Sequence, residues 1–151
     1  MARVPRSPGS LVTLEYPDED LTGVIIGAAY AVHNDHGFVF LEKVYRRALV
    51  VELAHLGVYS EREVPFTLYH RGVPIGLYRA DLIVESTVIV EVKTGLLLDP
   101  GVIPQTLNYL KASGLSVGLV VYFGPSVKVK RVTNFLAPSI RPGSRESHDH
   151  G

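Results

Sequence analysis

The sequence predicts an α/β fold, a central mixed β-sheet flanked by helices in the order α-α-β-β-β-α-β-β. Three observations carry this. Two apolar stripes at helical spacing occupy the first third of the chain. Runs of β-branched and aromatic residues follow, three before a further helical stretch and two after it. That later helical stretch stands between two strand-like runs, so a strand–helix–strand unit falls in the second half.

The first helix is expected to begin near Asp18, Glu19 and Asp20, whose carboxylates suit a helix N-terminus. Its apolar stripe is Leu21, Val24, Ile25, Ala28 and Val32. Gly27, Ala28 and Ala29 would admit a close neighbour, and the helix should end around His33–Gly37. A second helix is predicted from about Phe40 to Leu56. Leu41, Val44, Tyr45, Ala48, Leu49 and Leu53 form a broad apolar face, and Gly57 is the stop. Residues 63–70 read as a strand whose Pro65 favours an edge position. A turn at Arg71-Gly72-Val73-Pro74 leads through Ile75–Tyr78 into a hairpin. Asp99 is the expected N-cap of the third helix, with Pro100 at its first position and Gly114 ending it. Residues 117–123 read as a buried strand. Residues 127–132 alternate apolar with Lys128, Lys130 and Arg131, which fits either a solvated edge or a stripe that meets a nucleic-acid backbone. Residues 1–17 are expected to be a loose segment with an extended piece at 11–14, residues 18–137 one domain, and residues 138–151 a flexible tail.

Composition narrows the chemistry. With 151 residues, 46% hydrophobic and 20% charged, the chain can bury one real core. Cysteine is absent, which excludes disulfides, thiolate metal sites and cysteine nucleophiles. The first ten residues lack the apolar centre of a signal peptide, and no apolar run approaches the roughly 20 residues of a membrane helix. The expectation is a soluble cytoplasmic protein with no membrane partner. Fifteen basic and fifteen acidic residues cancel, so bulk charge does not hold nucleic acid, although a local groove can.

The chemistry concentrates in Arg79–Lys93, two apolar strands joined by a polar turn. Asp81, Glu91 and Lys93 place charge where burial makes it costly unless it is paired or holds a metal. Glu91 and Lys93 share a strand face. A pairing centred on Ser86, with the loop Glu85-Ser86-Thr87, faces Asp81 against Glu91. A two-residue Ser86-Thr87 loop sets them on opposite faces unless a bulge intervenes. Two readings stand side by side. In one, the three residues form a cross-strand salt bridge on a solvated face. In the other, the carboxylates hold Mg²⁺ or Mn²⁺, hard cations that prefer oxygen, and Lys93 offsets charge on a phosphate under attack.

This hairpin, with the (D/E)xK element Glu91-Val92-Lys93 and the Gln105-Thr106-Leu107-Asn108-Tyr109 stretch after it, resembles the PD-(D/E)xK nuclease superfamily and its RecB-like exonuclease members. From Leu21 to Val132 the chain looks like the small family named for a GxxExxY motif. The resemblance runs through Ala31-Val32-His33, Glu42-Lys43-Val44-Tyr45, Ala48-Leu49 and Arg79–Glu85. It continues at Asn108–Lys111, Gly118-Leu119, Phe123-Gly124 and Lys130-Arg131-Val132. One departure is Val39, where that motif has its Gly; Gly37 is kept. The resemblance implies a restriction-endonuclease-like core and a metal-dependent nuclease that hydrolyses phosphodiester bonds. DNA is the first partner and RNA the second, Mg²⁺ or Mn²⁺ is the cofactor, and a homodimer is one assembly form. Its catalytic residues would be Asp81, Glu91, Lys93 and Glu42. Its metal ligands would be Asp81, Glu91, the Val92 carbonyl and Glu42. Gln105 and Tyr109 would line the site and meet the substrate, the other reading being helix–sheet packing for Tyr109 and plain exposure for Gln105; Arg79 and Lys111 either meet substrate phosphates or have a surface role. The alternative is an inactive nuclease-fold module that binds nucleic acid or a protein partner. His33 and His36 lack a third ligand at helical spacing, and His33 is expected to pack or cap.

Overall fold

A computed structural model describes residues 17–38 and 41–134. The expectations for the two ends and for Val39 and Phe40 lie outside the described residues. The elements are α1 (Pro17–His36), α2 (Glu42–His55), β1 (Ser60–His70), β2 (Val73–Val84), β3 (Val88–Thr94), α3 (Val102–Ser113), β4 (Val117–Phe123) and β5 (Val127–Thr133). They follow the order expected from the sequence. The five strands form one sheet in the order β1-β2-β3-β4-β5. Among the described strands only β3 and β4 run parallel, and α3 makes the crossover between them, as parallel neighbours require. This is a mixed sheet flanked by three helices, a restriction-endonuclease-like α/β fold. No helix among the described residues is long and apolar enough to cross a membrane.

Each face of the sheet has its own core. On one side Ile25, Ala28, Ala29 and Val32 of α1 and Tyr45, Leu49 and Leu53 of α2 cover Val88, Val90, Val92, Leu119, Val121 and Phe123. On the other, Val102, Tyr109 and Leu110 of α3 cover Ile89, Val120 and Val132. Every residue of β4 is buried, because helices cover both its faces.

Several local expectations need correction. Leu41 and Val44 are 67% and 38% exposed, so the buried stripe of α2 is the narrower 45/49/53 line. The helix begins at Glu42, with Leu41 as an N-cap that makes no side-chain bond. Gly27 has open space around it; only Ala28 and Ala29 make the close approach. Asp99 caps a preceding turn through its Oδ1 to the Gly101 amide at 2.9 Å, and α3 starts at Val102, two residues beyond Pro100. Gly114 ends α3 at φ +81° with its amide on the Leu110 carbonyl, as expected. Pro65 lies in edge strand β1 opposite Arg79. The β1–β2 turn is only Arg71-Gly72, both at positive φ, and Val73 and Pro74 already belong to β2.

Two motif residues fix the α1–α2 junction. Tyr45 stacks on Phe123 at 4.2 Å and 3°, and its hydroxyl donates to the Gly37 carbonyl. His33 stacks on the same Phe123, and its Nε2–H donates to the Gly124 carbonyl at 2.8 Å. His33 therefore has the packing role expected of it.

Gly118 sets how closely α3 approaches the sheet. A Cβ there would stand 2.9 Å from Thr106 Cγ2, and Thr106 is fully buried with its hydroxyl on the Val102 carbonyl. Gly118→Ala will destabilise the protein by about 1–3 kcal/mol through overpacking. The check is the thermal midpoint of Gly118→Ala alone and with Thr106→Ser, which deletes the clashing methyl. Recovery in the double variant is expected; no loss in the single variant contradicts the packing account.

Candidate active site

The β2–β3 hairpin pairs Val84 with Val88, Ile83 with Ile89 and Leu82 with Val90. The pairing is thus centred on Ser86, with Glu85 and Ser86 both in the left-handed region at φ +52° and +56°. The Thr87 amide closes the turn on the Val84 carbonyl. The next opposed pair is Asp81 with Glu91, and there the strand ladder stops. Side chains take over from the backbone. The Asp81 amide donates to Glu91 Oε2 at 3.1 Å, and the Val92 amide donates to Asp81 Oδ2 at 2.8 Å. Each carboxylate is held by an amide of the other strand, so their mutual position is set by main chain.

The alternation of β2 also breaks at this point. Leu82 and Val84 face the α1/α2 core, whereas Ala80, two residues before Leu82, belongs to the α3 core. A regular strand keeps residues two apart on one face. Beyond this point β2 has left β3 and continues with β1 alone. Across from Asp81, Arg62 pairs with Leu82 and Val64 with Ala80, and Glu63 between them drops out of the pairing at φ +52°. The carboxylate pair therefore sits in the fork where two strands part.

Burial and charge act together in this fork. Glu91 is only 2% exposed, and its carboxyl is pushed up to about 8, first by burial and then by the Asp81 carboxylate. Burial also pushes the Asp81 carboxyl up, against the lowering effect of the Val92 amide and Arg46, with exposed Glu63 adding to the rise. Half-buried Lys93 stabilises the charged form of both. From α3, Tyr109 is 6% exposed. Its hydroxyl is pushed up to about 12, by burial and then by the charge of Glu91 and Asp81. Gln105 Nε2 donates to that hydroxyl at 3.1 Å, and Tyr78 meets the ring edge-on at 5.5 Å.

Other expected residues stand differently. Among the described residues no group of three or more His, Asp or Glu side chains is close enough to hold a metal, so Glu42, half-buried at the start of α2, does not complete a carboxylate triad. The residue of α2 that reaches the pair is Arg46, one turn further on, with NH1 3.4 Å from Asp81 Oδ1. Arg79 and Lys111 are exposed. Lys128 and Lys130 are exposed on edge strand β5, while Arg131 NH1 lies 3.4 Å from Thr22 Oγ1. An open cavity of about 540 Å³ beside the fork is lined by Arg47, Tyr59, Glu61, Arg62 and Glu63 and contains neither carboxylate. The sequence reading missed Arg46 and Glu63. Arg46 was signalled by its helical spacing from Glu42; the unpaired Glu63 had no local signal.

The donor set suits a hard divalent cation. It is all oxygen, and Mg²⁺ is commonly bound by one or two carboxylates with water completing the shell. Glu91, buried beside the half-buried Asp81 carboxylate that raises its proton affinity, leaves the site short of positive charge.

Residues 19–132 match the family model of the PD-(D/E)XK nuclease superfamily. None of the curated proteins compared with the chain matches it. Among solved structures the chain is similar to the crystal structure of SSO0001, with 22% identity over 61% of this chain, and a TM-score of 0.45. The match spans 50% of that protein's length.

Proposed function

Because the chain belongs to the PD-(D/E)XK nuclease superfamily, we propose that it is a metal-dependent nuclease hydrolysing phosphodiester bonds of DNA. Within the superfamily, its Glu42–Tyr45 and Asn108–Lys111 stretches support a place in the GxxExxY family. The observation that carries the functional reading is the reciprocal clasp at the fork. Asp81 and Glu91 are fixed to each other through backbone amides, which preorganises two carboxylates without relying on flexible side-chain contacts.

In this reading Asp81 and Glu91 would hold Mg²⁺ or Mn²⁺ together with the Val92 carbonyl, and Glu42 would assist from α2 through water rather than as a third direct carboxylate. When bound there, such a metal would supply Lewis-acid polarisation of the phosphate and a water of lowered pKa. Lys93, on the strand face of Glu91, holds the attacking water and offsets the negative charge that grows on the phosphate. Tyr109, with its proton held far above neutrality, remains a hydroxyl that donates to a phosphate or a water, and Gln105 orients it. Arg79 and Lys111 take backbone phosphates on either side.

The direct test is incubation of the purified chain with Mg²⁺ or Mn²⁺ and single-stranded, duplex or branched DNA, with RNA in parallel. Metal-dependent cleavage that EDTA stops is expected. No cleavage of any of these substrates sinks the enzymatic reading. A second reading, an inactive module that binds nucleic acid or a protein partner, is favoured by one observation: the pair lacks a third carboxylate among the described residues. Calorimetry separates the two. Mg²⁺ or Mn²⁺ binding that depends on Asp81 and Glu91 supports the nuclease, and its absence supports the module.

A further inference from the structure

The two oxygens of Asp81 are not equivalent. Oδ2 is committed to the Val92 amide at 2.8 Å. Oδ1 is the oxygen left for a cation, and Arg46 NH1 stands 3.4 Å from it. That contact is long and single, unlike the paired short bonds of a structural Arg–carboxylate fork. Both side chains are 19% exposed, so solvent and ligands reach the pair. Its ion pair is with Asp81, and its charge lowers the Glu91 carboxyl only as the smallest of the influences on it.

We propose that Arg46 is an exchangeable counter-ion of the Asp81–Glu91 pair, which gives up Asp81 Oδ1 to a divalent cation and then binds the phosphodiester. This rests on the metal-site reading above. Charge accounting supports it. With both carboxylates ionised, Arg46 and Lys93 offset them, while exposed Glu63 adds negative charge at Asp81. A divalent cation then adds two positive charges within a partly buried fork. A displaced guanidinium beside that cation is repelled unless an anion joins them, and a phosphodiester is the anion whose oxygens a planar guanidinium matches. Arg46 therefore weakens metal binding in the absence of nucleic acid and strengthens it in its presence. By linkage the metal strengthens nucleic-acid binding by the same factor. The device keeps the site from holding metal until substrate arrives. It makes Arg46 a substrate-binding residue that acts from α2, where Glu42 alone was expected to contribute.

The experiment measures Mn²⁺ affinity by titration at pH 8.5, without and with a phosphorothioate-backbone single-stranded oligodeoxynucleotide that resists cleavage. The proteins are wild type, Arg46→Ala, Arg46→Met, which keeps the apolar stem, and Arg47→Ala as the control for loss of a neighbouring charge. In wild type the oligonucleotide is expected to tighten Mn²⁺ binding by about 5- to 100-fold. Both Arg46 variants are expected to bind Mn²⁺ alone at least about fivefold more tightly than wild type, with the effect of the oligonucleotide reduced to near unity. Arg47→Ala is expected to behave as wild type. Unchanged or weaker Mn²⁺ binding by both Arg46 variants, or undiminished coupling in them, overturns the proposal and leaves the metal site standing. If neither wild type nor any variant binds Mn²⁺, the metal-site reading falls and this proposal with it. Binding by the Arg46 variants but not by wild type alone supports the proposal in its strongest form.

Discussion

Asp81→Asn will lower metal-dependent cleavage by at least about 10³-fold, which corresponds to about 4 kcal/mol of transition-state stabilisation, and will leave the fold in place. The substitution is chosen by the geometry. An asparagine carbonyl oxygen can still accept the Val92 amide that Asp81 Oδ2 accepts now, so the hairpin keeps its clasp. What disappears is the charge at Oδ1, the oxygen that faces Arg46 and that the metal would use. Mn²⁺ affinity should fall together with the rate. Lys93→Ala provides the contrast. It should lose about 10²–10³ in rate while retaining Mn²⁺ binding, because Lys93 acts on the nucleophile and the phosphate and is no ligand. Rates on a DNA substrate, Mn²⁺ titration and far-UV circular dichroism on the same preparations check both. Wild-type cleavage by Asp81→Asn would remove the carboxylate pair from the mechanism.

The metal-free protein should lose stability as pH rises between about 4.5 and 8. Glu91 titrates at about 8 in the folded chain against an ordinary 4.5. Within that window the folded state holds a proton that the unfolded chain has released, so the unfolded state binds fewer protons and stability falls with pH. Below the window both states are protonated and nothing is lost. Above it both are ionised, and the full penalty of a buried charge beside Asp81 is present. At about 1.4 kcal/mol per pKa unit the penalty is on the order of a few kcal/mol, and it belongs to the coupled pair. Glu91→Gln should flatten this pH dependence and, above pH 8, be more stable than wild type without metal. Saturating Mn²⁺ should reverse the trend in wild type only, since the cation binds the ionised pair. Urea unfolding at a series of pH values, with and without Mn²⁺, checks this. A wild-type profile that rises from pH 5 to 8 without metal contradicts a buried Glu91 carboxyl raised by burial and by Asp81.

The order of elements and the register of the central hairpin were legible in the sequence because they rest on local physics. Continuous runs of Leu, Ile and Val, a turn that tolerates positive φ at Glu85 and Ser86, and a stripe such as Ile25, Ala28 and Val32 each declare themselves within a few residues. The Ser86-centred pairing that faces Asp81 toward Glu91 was one of two alternatives, and the structure has it. Element edges were less legible. Asp99 caps a turn ahead of α3 rather than the helix itself, since a cap residue marks where a chain turns and not how many residues pass before helical bonds begin. Leu41 and Val44 suit a buried helical face but lie outside it, because the sheet under α2 is covered by the 45/49/53 line.

By itself the sequence determined which residues are charged within the apolar hairpin, and that Glu91 and Lys93 share a face. Tertiary structure alone decided that β2 parts from β3 at Asp81, that Ala80 and Leu82 then face opposite cores, and that Arg46 reaches Asp81. The reason is one of range. Strand pairing near a tight turn is fixed by the turn, whereas the point at which two strands separate is set by β1 on one side and by the helices over each face. Which side chain of α2 reaches the fork depends on where Tyr45 docks against Phe123, a contact between residues far apart in the chain.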